Sequence, residues 1–83
     1  MARLQLEQLA RFLVRQPEAV VEFGVNVPGT DARRCYDLSL QRAEALRVFL
    51  AERGVDPARV LLSPYGNVHA GPRASASVSV RFR

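Results

Sequence analysis

All twelve basic side chains of this 83-residue chain are arginines. A guanidinium is planar, permanently charged and carries paired donors, so this choice suits carboxylate or phosphate partners, and the net charge of +4 points the same way. The arginines run from Arg3 to Arg83 among eight acids, with no aromatic-rich basic motif, so they read as solvated surface rather than a nucleic-acid face. Cys35 is the single cysteine. It can form no internal disulfide and leaves the redox compartment open. Arg33 and Arg34 stand near it but no histidine base does, so it reads as an incidental small residue. His69, the only histidine, has no cysteine or carboxylate at ligand spacing, and no metal is expected. Ser39 lacks a G-x-S-x-G context and there is no Gly-rich phosphate loop, so the expectation is a chain without catalysis and without a cofactor. Asp31 and Asp37 are accounted for as one helix cap and one exposed loop residue.

The elements that must position these side chains follow from periodicity. The central one lies in the stretch Asp37 to Val60. Leu38, Ala45 and Phe49, with Ala43, Leu46 and Leu50, fall at helical spacing on one broad apolar face, and Arg42, Glu44, Arg47, Glu52 and Arg53 take the other. Asp37 or Ser39 stands ready to cap the first free amides, and Gly54 sits where a helix end needs a left-handed residue. Upstream, Leu4 to Arg15 carries Leu6, Leu9, Ala10 and Leu13 on one face of a first helix, which Pro17 closes. From Ala19 to Val27, the residues Val21, Phe23, Val25 and Val27 alternate with Val20, Glu22, Gly24 and Asn26, the pattern of a half-buried strand. Pro28 to Asp31 breaks it, and a loop is expected through Arg34.

Past Gly54, Asp56-Pro57 opens a single helical turn and Val60 to Leu62 suits a brief second strand. The segment Ser63 to Arg73, rich in Gly and Pro, reads as a way out and a loop. Ala76, Val78, Val80 and Phe82 then alternate with Ser75, Ser77, Ser79 and Arg81 in a last strand. Helix, strand, helix, strand, strand implies an α+β two-layer sandwich, two helices packed on a small mixed sheet in a single domain over 1–83. Its expected core is Leu6, Leu9, Leu13, Val21, Phe23, Leu46, Leu50, Val78 and Val80. A hydrophobic fraction of 48% argues against a disordered tail. The chain shows no signal peptide and no apolar run of about 18 residues, so no membrane span is expected.

The string L-x-x-LA-x-x-L-x-x-x-P, the LS-x-x-RA of Leu38 to Ala43, the G-V-D-P-x-R-V of Gly54 to Val60 and the Tyr65-Gly66 pair occur in the order found in one family. Together they resemble the OmpA-like peptidoglycan-binding domain of bacterial envelope proteins. The resemblance covers nearly the whole chain, and the LS-x-x-RA to D-P-x-R-V block is its most specific part. It implies a β-α-β-α-β-β sandwich that binds peptidoglycan without covalent chemistry, in the periplasm or cell envelope. It also implies that Arg42 is the arginine that, with an aspartate, grips the charged ends of the diaminopimelate side chain.

Three departures bear on function. Counted back from Leu38, the family's aspartate falls at Val27 with Asn26 beside it; counted forward from Pro17, it falls at Pro28. Neither is acidic, so the ammonium end of the ligand loses its counter-charge. Such a charge-assisted hydrogen bond is worth about 1.5 to 3 kcal/mol. Thr30-Asp31 restores the dipeptide only on a rearranged loop. The family's paired arginines before the last strand are matched by Ala76 and Ser77, and the family's opening strand has no counterpart ahead of the first helix. The candidate ligand-binding residues are therefore Arg42, Asn26, Asp31 and Ser39, and Arg42 as a salt-bridged helix residue or Asn26 as a turn cap are the plain alternatives. The expected function is a structural or docking module of an envelope assembly, joined through strand addition by an envelope protein or by the chain's own upstream segment. Residual peptidoglycan binding through Arg42 is the alternative.

Overall fold

The computed structural model describes residues 3–67 and 77–83. Two helices pack on one face of a three-stranded mixed sheet, the α+β arrangement expected from the order of elements. The elements are α1 (Arg3–Arg15), β1 (Val21–Asn26), α2 (Ala32–Glu52), a 3-10 turn (Pro57–Arg59), β2 (Val60–Gly66) and β3 (Ser77–Phe82). Strand order is β2-β1-β3, with β1 and β2 parallel and β1 and β3 antiparallel. The most deeply buried strand, β1, is thus the central one, paired on both sides.

The helices meet the sheet through the odd residues of β1. Val21 and Phe23 are fully buried against Ala10 and Leu13 of α1, Leu50 of α2, and Val55 and Val60. Leu9, Leu46, Val78 and Val80 are only partly buried around that cluster. A second cluster joins Val25, Val27, Cys35 and Ala43. Cys35, read from sequence as an incidental small residue, is 4% exposed and belongs to this core.

α2 starts earlier than its periodicity indicates. The sequence reading leaves Arg33 and Arg34 in a loop and starts the helix at Asp37 or Ser39; the helix in fact begins at Ala32. Asp31 is its N-cap, with extended backbone and a side-chain oxygen accepting from the Arg34 amide at 3.1 Å. Asp37 is an exposed residue inside the helix. The early turns escape the apolar count because their inward positions are Cys35, Ser39 and Ala43, small residues four apart that let the helix lie close to the sheet. At the far end Arg53 is the C-cap and Gly54 follows at φ +94, as the helix stop requires.

β2 likewise runs further than Leu62, through Ser63, Pro64 and Tyr65 to Gly66. Pro64 is tolerated because β2 is an edge strand. The turn before it is capped by Asp56, which accepts from the Ala58 amide at 2.9 Å. Arg59 then ties this turn to α1. Its Nε donates to Ala19 O at 3.0 Å and its Nη2 to Leu13 O and Gln16 O at 2.8 and 2.6 Å; Leu13 O is a carbonyl that the end of α1 leaves free before Pro17.

Candidate functional site

The four residues singled out from sequence do not converge equally. β1 ends at Asn26, whose register partner is Gly66 across a slip in the β1–β2 ladder between Val25 and Asn26. The Gly66 amide donates to Ser39 Oγ at 3.1 Å, and that hydroxyl donates to Tyr36 O at 2.7 Å. Asn26 and Ser39 are thereby brought to one end of the sheet, beneath the first half of α2. Gly66 itself has φ +58, and a β-carbon there would sit 3.0 Å from the Tyr36 amide nitrogen, so both the turn and the close approach need glycine.

Chemically this corner is already occupied by its own contacts. Ser39 is fully buried, with its hydroxyl used both as donor and as acceptor. Val27, where the resemblance has an acid, is buried in the core beside Val25 and Cys35, and its amide donates to Gly66 O at 2.8 Å. Asn26 Nδ2 reaches Ser77 Oγ at a long 3.5 Å, while its Oδ1 is buried with no partner among the described residues. Asp31, at the other end of the connecting loop, is exposed and spends one carboxylate oxygen on its cap. Arg42 is exposed one turn beyond Ser39, and among the described residues its side chain has no hydrogen bond or ion pair. Among the described residues no cluster of His, Cys, Asp and Glu could hold a metal. His69 and Ala76 lie outside the described residues.

Three further groupings away from these four residues carry charge or apolar exposure. On the sheet face away from the helices, Glu22 accepts from Ser63 Oγ and forms an ion pair with Arg83, whose Nε lies 3.3 Å from Oε1 without the alignment of a hydrogen bond. The hydroxyl of Ser63, and then Arg83 and Arg81, hold this carboxyl below its usual value against the opposing effect of desolvation. Between the helices, Arg53 donates to both oxygens of Glu7 at 3.0 and 2.8 Å and to Phe49 O, while its guanidinium stacks 3.5 Å from the Phe49 ring centre. That hydrogen bonding lowers the Glu7 pKa and raises that of Arg53. A shallow groove of about 240 Å³ opens alongside, lined by Glu7, Ala10, Arg11, Val14, Arg15 and Arg53. It contains none of the four candidates.

The third grouping is the outer side of β3. Among the described residues this strand pairs only with β1. Phe82 at its end is 52% exposed and meets Phe12 of α1 edge-on, with ring centres 5.4 Å apart. Alternation alone marks β3 as a strand. That it lies at an edge depends on strand order, which alternation does not carry.

Neither a scan against protein-family models nor a search of the curated proteins finds a match for this chain.

Proposed function

We propose that this domain is a non-catalytic structural or docking module of a bacterial cell-envelope assembly, similar to an OmpA-like domain that no longer has the acid needed for peptidoglycan. The observation that carries the docking part is the contrast between the two edges of the sheet. β2 interrupts its row of donors with Pro64 and is distorted by the ladder slip beside Tyr65, devices that discourage pairing. β3 has no proline, no slip and a single charge, Arg81. Backbone groups along such an edge accept another strand with little demand on its side chains. Burial of Val27 supports loss of the ligand pocket, because the position that would carry the acid serves the core instead. The resemblance, rather than the fold, supports the envelope and periplasmic setting. Among the described residues no helix is long and apolar enough to cross a membrane.

Weak peptidoglycan binding through Arg42 and a rearranged Thr30-Asp31 loop is the second reading. It is favoured by one observation: the Arg42 side chain is exposed and, among the described residues, uncommitted. Amide exchange by NMR tests the docking reading. The outward amides of β3 should exchange rapidly in the isolated monomer and slowly in the native assembly; full protection of both edges in the monomer overturns it.

A further inference from the structure

We infer that the strand added at the β3 edge is β3 of a second copy of this domain, paired antiparallel about a two-fold axis through Val80; the inference rests on the docking reading above. The direction of each backbone group comes first. β1 and β3 are antiparallel with Val21 opposite Phe82, and the Arg83 amide donates to Val20 O at 2.9 Å. In an antiparallel ladder, residues whose N–H and C=O both face the neighbouring strand alternate with residues whose groups face away. Arg83, Arg81, Ser79 and Ser77 therefore turn their backbone toward β1. Val78, Val80 and Phe82 turn theirs outward, where the described residues supply no strand.

The side chains then choose the register. Val78 and Val80 pack on the helix side, and Phe82 meets Phe12 there, while Ser77, Ser79 and Arg81 lie on the other face. Directly opposed residues of an antiparallel pair share a face, so only registers with one residue on the axis keep apolar against apolar. With Arg81 on the axis, two guanidinium groups would oppose each other, which is unfavourable. With Ser79 on the axis, Phe82 would face Ala76, whose single methyl covers less of the ring than Val78 does.

With Val80 on the axis, Val80 faces Val80 of the second copy. Val78 faces Phe82, which covers a ring that is half exposed in one copy, and Ser79 faces Arg81 on the open side. The outward backbone groups of Val78, Val80 and Phe82 all find partners. The product is a continuous six-stranded sheet with all four helices on one face. Exposure of Phe12 and Phe82 at this edge, and the lack of any proline there, are the features such a junction needs.

Sedimentation and amide exchange on the whole chain, both measured across a wide concentration range, test the inference. The expected result is a monomer–dimer equilibrium. In the dilute sample the amides of Ser79, Arg81 and Arg83 should be protected while those of Val78, Val80 and Phe82 exchange freely; in the concentrated sample all should be slow. Val80→Pro removes an outward donor while leaving the β1 ladder intact, and should raise the dissociation constant at least tenfold with unchanged circular dichroism. If that variant fails to fold, the exchange pattern of the natural chain decides alone. A monomer at every concentration that keeps the alternating pattern overturns self-pairing and leaves docking with a different partner standing. Protection of Val78, Val80 and Phe82 in a monomer overturns both. A dimer whose β3 amides keep their alternation overturns the proposed junction.

Discussion

Ser39 is the residue whose meaning changes most between sequence and fold. As a letter in LS-x-x-RA it stands next to a ligand-gripping arginine. In the fold its hydroxyl takes the Gly66 amide and returns a hydrogen bond to Tyr36 O, fastening the end of β2 to α2. Ser39→Ala leaves a buried N–H without an acceptor, which costs about 1 to 3 kcal/mol. The loss should appear as a lower urea midpoint with an unchanged slope. Serine in a helix usually reads as solvated or as a cap, so nothing in its immediate neighbours marks it as a fastener.

The acids Glu7 and Glu22 supply a pH prediction with a definite sign. Both carboxyls are held below the usual 4.5, Glu7 first by its hydrogen bonds from Arg53 and Glu22 first by Ser63. A folded pKa below the unfolded one means the contribution is fully present above the unfolded value and is lost as pH falls through the folded one. The urea midpoint should therefore fall as the pH drops below about 4.5, where carboxylates of the unfolded chain begin to protonate. The double variant Glu7→Gln, Glu22→Gln should flatten that part of the curve. An equally steep fall in the double variant would assign the acid sensitivity to other groups.

At the scale of the element, α2 shows why its two ends differ in legibility. Its C-terminal half carries Leu46, Phe49 and Leu50 and stops at Gly54, a pattern that propensity and periodicity describe well. Leu50 is fully buried, and Leu50→Ala should cost about 2 to 5 kcal/mol, enough to unfold much of so small a domain. Leu46, only partly buried, should cost clearly less. The N-terminal half packs through Cys35, Ser39 and Ala43, whose buried area per residue is small, and so it carries no apolar signal. Asp31→Ala should test that half separately. Loss of an N-cap of this kind costs about 0.5 to 2 kcal/mol, and fraying by NMR should be confined to the turns before Ser39.

On the scale of the whole molecule, the prediction concerns peptidoglycan. Purified protein should co-sediment with isolated sacculi weakly or not at all, because Val27 is in the core and Ser39 is fully committed. Tight binding abolished by Arg42→Ala would overturn the docking reading in favour of the exposed Arg42 and Asp31. Composition, alternation and turn residues determined the α+β fold class, that β1 and β3 each have an apolar and a polar face, and where the first helix and the 3-10 turn lie. Those are local properties, set by side-chain spacing along the backbone. Only the tertiary structure decided that β1 lies between the other two strands, that β3 is an edge strand among the described residues, that Cys35 and Ser39 are interior and that Arg53 reaches Glu7. Each of these depends on which distant segments meet, and small or polar residues can satisfy such meetings without leaving a period in the sequence.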